Sequence, residues 1–213
     1  MRYNRNKTRH GAPRQSSRDI IHKARLILED YKLAHLQKPL HKEHADTRWI
    51  PPDYPWYKIN VDAAVFSNKK AVGIGVVVRD HEGSVLAALS KCIPLPLGPL
   101  AAEAKAMEEA AHFARDIGLQ EVIFETDSSI ISGALTGSST APVTVEDIIR
   151  GIQHTLRDFR RTQILQVRRQ GNVPAHTLAQ HAKGIDTLVW LEETSSCIEN
   201  SVFQDALYLS HSE

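Results

Sequence analysis

From Tyr57 to Val65 apolar and polar side chains alternate, the period-two mark of a half-buried strand. Tyr57, Ile59 and Val61 fall on one face, and Lys58, Asn60 and Asp62 fall on the other. A carboxylate in mid-strand needs a partner once it loses water. A metal ion is one answer and solvent at a sheet edge is another, and the strand alone leaves both open. Ser67-Asn68-Lys69-Lys70 is a polar turn, after which Ala71–Arg79 reads as a second strand. Asp80-His81-Glu82-Gly83 is a hairpin turn leading to a third strand over Ser84–Cys92. Gly73 and Gly75 lack the third glycine and the following helix of a dinucleotide fingerprint. Inside a strand they instead permit close approach of another backbone.

The periodicity then turns helical. Met107, Ala110, Phe113, Ala114 and Ile117 form one stripe of a helix over Leu100–Ile117, and one turn back the same face holds Glu103. Gly118 stops that helix. Glu121–Thr126 is a short buried strand ending at Asp127, just ahead of a helix begun by Ile130 and Ile131. An acid at that junction is a good N-cap. Thr144 is the expected cap of a helix from Val145 to about Phe159, and Thr162–Arg168 reads as a fifth strand. Arg168-Arg169-Gln170-Gly171 makes a basic loop, suited to phosphate or simply solvated. Asn172 is the expected cap of a last helix, with Pro174 in its first turn, ending at Gly184.

This order predicts an α/β fold. A mixed five-stranded sheet, three antiparallel strands then two parallel ones, carries helices on both faces. Residues 57–184 form that domain. Residues 1–50 are a basic arm and a helix over 17–37, and Pro51, Pro52 and Pro55 mark a linker at 51–56. His41 and His44 have no third nitrogen or sulfur ligand nearby and read as solvated. The tail, 185–213, is apolar in patches, either a short helix or loose.

Composition changes little. Of 213 residues 42% are hydrophobic and 24% charged, with net charge +1, so the chain as a whole is no polycation. Residues 1–18 carry six Arg or Lys and no acid, a composition open to phosphate binding, organellar targeting or neither. No apolar run approaches membrane-spanning length. Cys92 and Cys197 fit neither a zinc motif nor a disulfide framework, which favours a reducing, intracellular setting, nucleus or cytoplasm before an organelle.

The chemistry lies in Asp62, Glu103 and Asp127. If the fourth strand neighbours the first, these three converge. Clustered acids repel and raise one another's pKa unless a cation neutralises them. Hard oxygen donors suit Mg²⁺ or Mn²⁺. Two such ions about 4 Å apart activate water and stabilise the leaving oxygen in phosphodiester hydrolysis. No nucleophilic serine or cysteine triad is present.

Five motifs in order carry a family resemblance: Lys58-Ile59-Asn60-Val61-Asp62; Gly73 through Asp80 with Gly83; Ala102-Glu103-Ala104-Lys105-Ala106; Phe124-Glu125-Thr126-Asp127-Ser128; and Asn172 with Ala175-His176-Thr177-Leu178-Ala179. Residues from about Trp56 to Gly184 resemble the RNase H (type 1) domain of the reverse-transcriptase-like family of plants, of non-LTR retroelement kind. Trp49 and Pro51-Pro52 resemble the linker of such proteins. The resemblance implies an RNase H-like fold and an endoribonuclease that cuts the RNA strand of RNA–DNA hybrids. It implies Asp62, Glu103 and Asp127 as metal ligands, with Asp62 bridging two Mg²⁺ or Mn²⁺ ions. The family's fourth acid falls where this chain has His176, a softer ligand without negative charge. Ala63 stands where the family usually has Gly. Arg168, Arg169 and Asn172 are the expected nucleic-acid contacts, in a monomer that meets no membrane. The alternative is a nucleic-acid-binding module that cleaves weakly or not at all, and a third reading is a retroelement remnant without a cellular role.

Overall fold

The computed structural model describes residues 48–209. The expected basic arm, the helix over 17–37, His41 and His44 lie outside the described residues. Strand β1 (Tyr57–Phe66) is central. It pairs antiparallel with β2 (Ala71–Arg79) and parallel with β4 (Glu121–Thr126). Strand β3 (Val85–Ile93) lies beyond β2, and β5 (Arg161–Gln166) runs parallel beyond β4. The helices are α1 (Pro99–Asp116), α2 (Ser129–Thr136), α3 (Glu146–Thr155), α4 (Val173–His181) and α5 (Glu199–Leu209).

The apolar face of β1 builds the main core. Ile59 and Val61 join Val72, Ile74, Val76 and Phe124 beneath α1 and α3. Helix α1 meets them with Ala102, Ala106, Met107 and Ala110, mostly small side chains that let it lie close to the sheet. The opposite face takes α4. A methyl group at Gly75 would sit 2.0 Å from the Ala175 carbonyl oxygen, and one at Gly73 would sit 2.1 Å from that of Ala179. The two glycines are the clearance that seats α4 on β2, as their place in a strand predicts.

Among the described residues the sheet has six strands, not five, in the order β5-β4-β1-β2-β3-β6. The added strand, β6 (Thr187–Leu191), comes from the expected tail and pairs antiparallel with β3. Beyond it Ile198, just ahead of α5, is buried against Val77, Ala88 and Leu178. The tail is therefore part of the domain. The expected linker is also packed: Trp49 is 2% exposed, Pro52 is buried, and the Lys58 ammonium donates to the Ile50 carbonyl at 2.6 Å.

Helix ends differ in detail. The N-cap of α3 is Val145 rather than Thr144, and the helix stops at Thr155 before a 3₁₀ turn over Leu156–Asp158. At α2 the cap is Ser128, whose Oγ accepts from the Ile131 N–H, and not Asp127. Asn172 stands at the N-cap of α4, but its side chain makes no capping bond.

Candidate metal centre

Parallel pairing of β1 and β4 sets Val61 beside Thr126, so the next residues, Asp62 and Asp127, lie level at the end of the ladder. Glu103 reaches them from the second turn of α1. One carboxylate oxygen from each of the three lies within 4.8 Å of the others. Asp62 is 2% exposed on the central strand, which removes the reading of a solvated edge acid.

The cluster is short of positive charge. Burial first, then the Asp62 and Asp127 carboxylates, push the Glu103 carboxyl well above its ordinary range, with Arg169 opposing. Its Oε2 is buried without a hydrogen-bond partner among the described residues. Burial and then Asp127 also raise Asp62, against a hydrogen bond and charge from His176 and a hydrogen bond from Ala63. The Ala63 N–H donates to Asp62 Oδ1 at 2.8 Å. His176, early in α4, donates from Nδ1 to Asp62 Oδ2 at 2.6 Å. An orphaned buried oxygen within three converging carboxylates is a donor set for a hard divalent cation.

The basic loop crosses beside the acids and is pinned at both ends. The Val167 N–H donates to the Thr126 carbonyl at 2.9 Å, and Asn172 Nδ2 donates to the Val61 carbonyl at 2.9 Å. Each anchor lies one residue ahead of a clustered acid. Between them Arg169 Nε comes 3.7 Å from Asp127 Oδ2, with its side chain 74% exposed. Arg168 is exposed. Asn172, expected among the nucleic-acid contacts, is instead fully buried, and its amide braces β1 from below the loop.

A polar layer beneath Asp62 escaped the sequence reading. Asn60 donates to Glu125 Oε2 at 2.8 Å and accepts from Arg79 Nη2 at 2.9 Å, while Lys58 pairs with Glu125 at 3.0 Å. The signal was present in Lys58, Asn60 and Asp62, three polar residues on one face of a strand that proves central. Their partners come from β2 and β4, at long sequence separation.

A family model described as reverse transcriptase-like matches residues 60–182, more than half of the chain. No curated protein matches it. Among solved structures, RNase H1 from the halophilic archaeon Halobacterium salinarum NRC-1 superposes with a TM-score of 0.57 at 23% identity, covering 60% of this chain and 97% of that one. The N-terminal RNase H domain of rv2228c from Mycobacterium tuberculosis, solved as a fusion with maltose binding protein, gives 0.55 at 23%, covering 60% and 92%. LC11-RNase H1 in complex with an RNA/DNA hybrid gives 0.54 at 23%, covering 59% and 95%. At these identities the likeness is one of fold, and the fold is RNase H-like.

Proposed function

From the membership of this chain in the reverse transcriptase-like family, we propose that it is a metal-dependent endoribonuclease hydrolysing the RNA strand of RNA–DNA hybrids. The observation that carries this reading is the convergence of Asp62, Glu103 and Asp127 within 4.8 Å, with one Glu103 oxygen buried and unpartnered. Those carboxylates would hold hard divalent ions, two of them, Mg²⁺ or Mn²⁺. Ions held there would supply an activated water and would stabilise the departing 3′ oxygen of the cut strand.

The chain's own residues prepare that chemistry. Ala63 N–H and His176 Nδ1 each take one oxygen of Asp62 and so orient its carboxylate. The polar layer of Lys58, Asn60, Arg79 and Glu125 ties β1, the strand that carries Asp62, to β2 and β4. Arg168 and Arg169 are exposed on the loop beside the acids, where they would meet phosphate, and recognition through backbone phosphates and 2′-hydroxyls would carry little sequence preference. LC11-RNase H1, with the same fold, is bound to an RNA/DNA hybrid, which supports that substrate class. The five motifs quoted above support a domain of plant, non-LTR retroelement kind, and two cysteines that fit neither a zinc motif nor a disulfide framework support a nuclear or cytoplasmic setting.

A second reading is a nucleic-acid-binding module with weak or no cleavage. It is favoured by His176, which brings no negative charge and hydrogen-bonds an oxygen of Asp62. Cleavage of a labelled RNA–DNA hybrid, with Mg²⁺ and then Mn²⁺, beside an Asp62→Asn control, separates the two. Cutting by the parent alone establishes the metal-carboxylate nuclease. Binding without cutting under either metal leaves the binding module.

A further inference from the structure

The loop between β5 and α4 is built to hold a guanidinium over the acids. Its two anchors, Val167 on Thr126 and Asn172 on Val61, tie it to the residues immediately before Asp127 and Asp62. A 3₁₀ turn over Arg169–Asn172, closed by the Gly171 N–H on the Arg168 carbonyl at 2.9 Å, leaves little slack. A methyl group at Gly171 would lie 2.8 Å from Val167 Cγ2, so the two ends of the loop are in contact. The loop backbone at Arg169 is therefore tied to the same two strands that lead into Asp62 and Asp127.

The contact itself is loose. Arg169 approaches Asp127 through Nε alone, at 3.7 Å, with its side chain 74% exposed. Its charge reaches Glu103 as well. A guanidinium held so lightly to a carboxylate is readily exchanged for a better partner, and its planar fork of donors matches a phosphate.

We propose that Arg169 is a tethered counter-ion of the acid cluster, which yields Asp127 to a divalent ion and moves to a backbone phosphate, so that metal loading and nucleic-acid binding are coupled. This rests on the cluster being the metal centre proposed above. In the free protein Arg169 partly neutralises the acids and competes with the ion. When a nucleic-acid strand arrives, its phosphate draws Arg169 away, and Asp127 is released to the ion. Each ligand then strengthens the other by the same factor, as linkage requires.

The test is Mn²⁺ binding, followed by the electron paramagnetic resonance of the free ion, in the parent, Arg169→Gln, Arg169→Lys and Asp62→Asn. Each is titrated with and without a hybrid whose RNA strand carries 2′-O-methyl groups to prevent cutting. An exposed pair of this kind sets an effect of about two- to five-fold. Without hybrid, Arg169→Gln should bind Mn²⁺ tighter than the parent by that factor, with Arg169→Lys close to the parent. The hybrid should tighten Mn²⁺ binding in the parent and do so less in Arg169→Gln. Arg169→Gln with the parent's Mn²⁺ affinity and the parent's response to hybrid overturns the counter-ion while leaving the metal centre intact. Mn²⁺ binding that Asp62→Asn does not weaken removes the metal centre itself, and the inference with it.

Discussion

At the residue scale the acid cluster carries opposed demands on stability and function. Burial and mutual repulsion raise the Asp62 and Glu103 carboxyls in the folded chain. A raised folded value means that the protonated form favours folding. That contribution is complete below the ordinary carboxylate range, about pH 4, and is lost as pH rises through the folded values. Glu103→Gln removes the ionisation at the worst-solvated position. In chelator-treated protein at pH 7 it should raise stability by about 1 kcal/mol, read as about 2–4 °C in Tm for a chain of this length. The gain should shrink toward pH 4 and on adding Mg²⁺, and the same variant should not cleave. Equal melting of parent and variant at pH 7 would mean that the cluster is not electrostatically strained. His176→Asp acts in the opposite sense. A fourth carboxylate beside Asp62 lowers the metal-free Tm, and it raises Mg²⁺-dependent cleavage if the missing charge limits the parent. Cleavage assays across Mg²⁺ concentration, paired with melting curves, decide it.

At the scale of elements the decisive contact is α4 on β2. Gly75 pairs with Asp62 across the ladder, and a methyl there meets the Ala175 carbonyl at 2.0 Å and the Ala179 amide nitrogen at 2.5 Å. Both are backbone atoms, so only a shift of the helix relieves them. Gly75→Ala should cost about 1–3 kcal/mol in urea denaturation. It should also carry His176 away from Asp62 and so change Mn²⁺ affinity, which a cost confined to packing would leave alone. Gly73 and Gly75 were legible in the sequence, as were β2 and β4 to the residue, because turn signals flank both strands. Of the three acids, Asp62 on β1 and Glu103 on α1 fall on well-marked elements, whereas Asp127 lies one residue past the end of β4. The cap of α2 was not legible. Asp127 and Ser128 both offer an oxygen at that junction, and only the register of β4 on β1 shows that Asp127 belongs to the cluster. Nor was β6, whose Leu188, Val189 and Leu191 are all exposed at the sheet edge. Without a buried face there is no alternation to read.

At the scale of the described molecule one guanidinium joins the two ends of the described residues. Arg79, at the end of β2, is 0% exposed. The Trp49 ring lies 3.5 Å from its central carbon, Asp205 of α5 accepts from Nη1 at 2.7 Å, and Asn60 accepts from Nη2. A second cation–π contact closes the same seam, with the Arg48 guanidinium 3.1 Å from the Tyr208 ring centroid. The domain bounded by sequence at 57–184 therefore omits both lids of a buried cation. A lone buried charge is far more costly than a buried pair is helpful. Asp205→Ala should accordingly lose about 3–5 kcal/mol in urea denaturation, and Asp205→Asn, which keeps an oxygen acceptor, should lose less. A fragment of residues 57–184 goes further. It uncovers Arg79 on two sides and bares the β3 edge that β6 occupies, a template for pairing with other chains. Beside a fragment of residues 48–209, it should unfold at lower urea and associate in sedimentation. Equal urea midpoints would show that the flanking segments are ornaments on a self-sufficient sheet. A lower midpoint for 57–184, matched by Asp205→Ala in the longer fragment, would place the difference at Arg79. That residue is two positions along the β2 ladder from the partner of Asn60 and four from Gly75, the partner of Asp62, so the segments that flank residues 57–184 would be supporting the strand that carries the central acid.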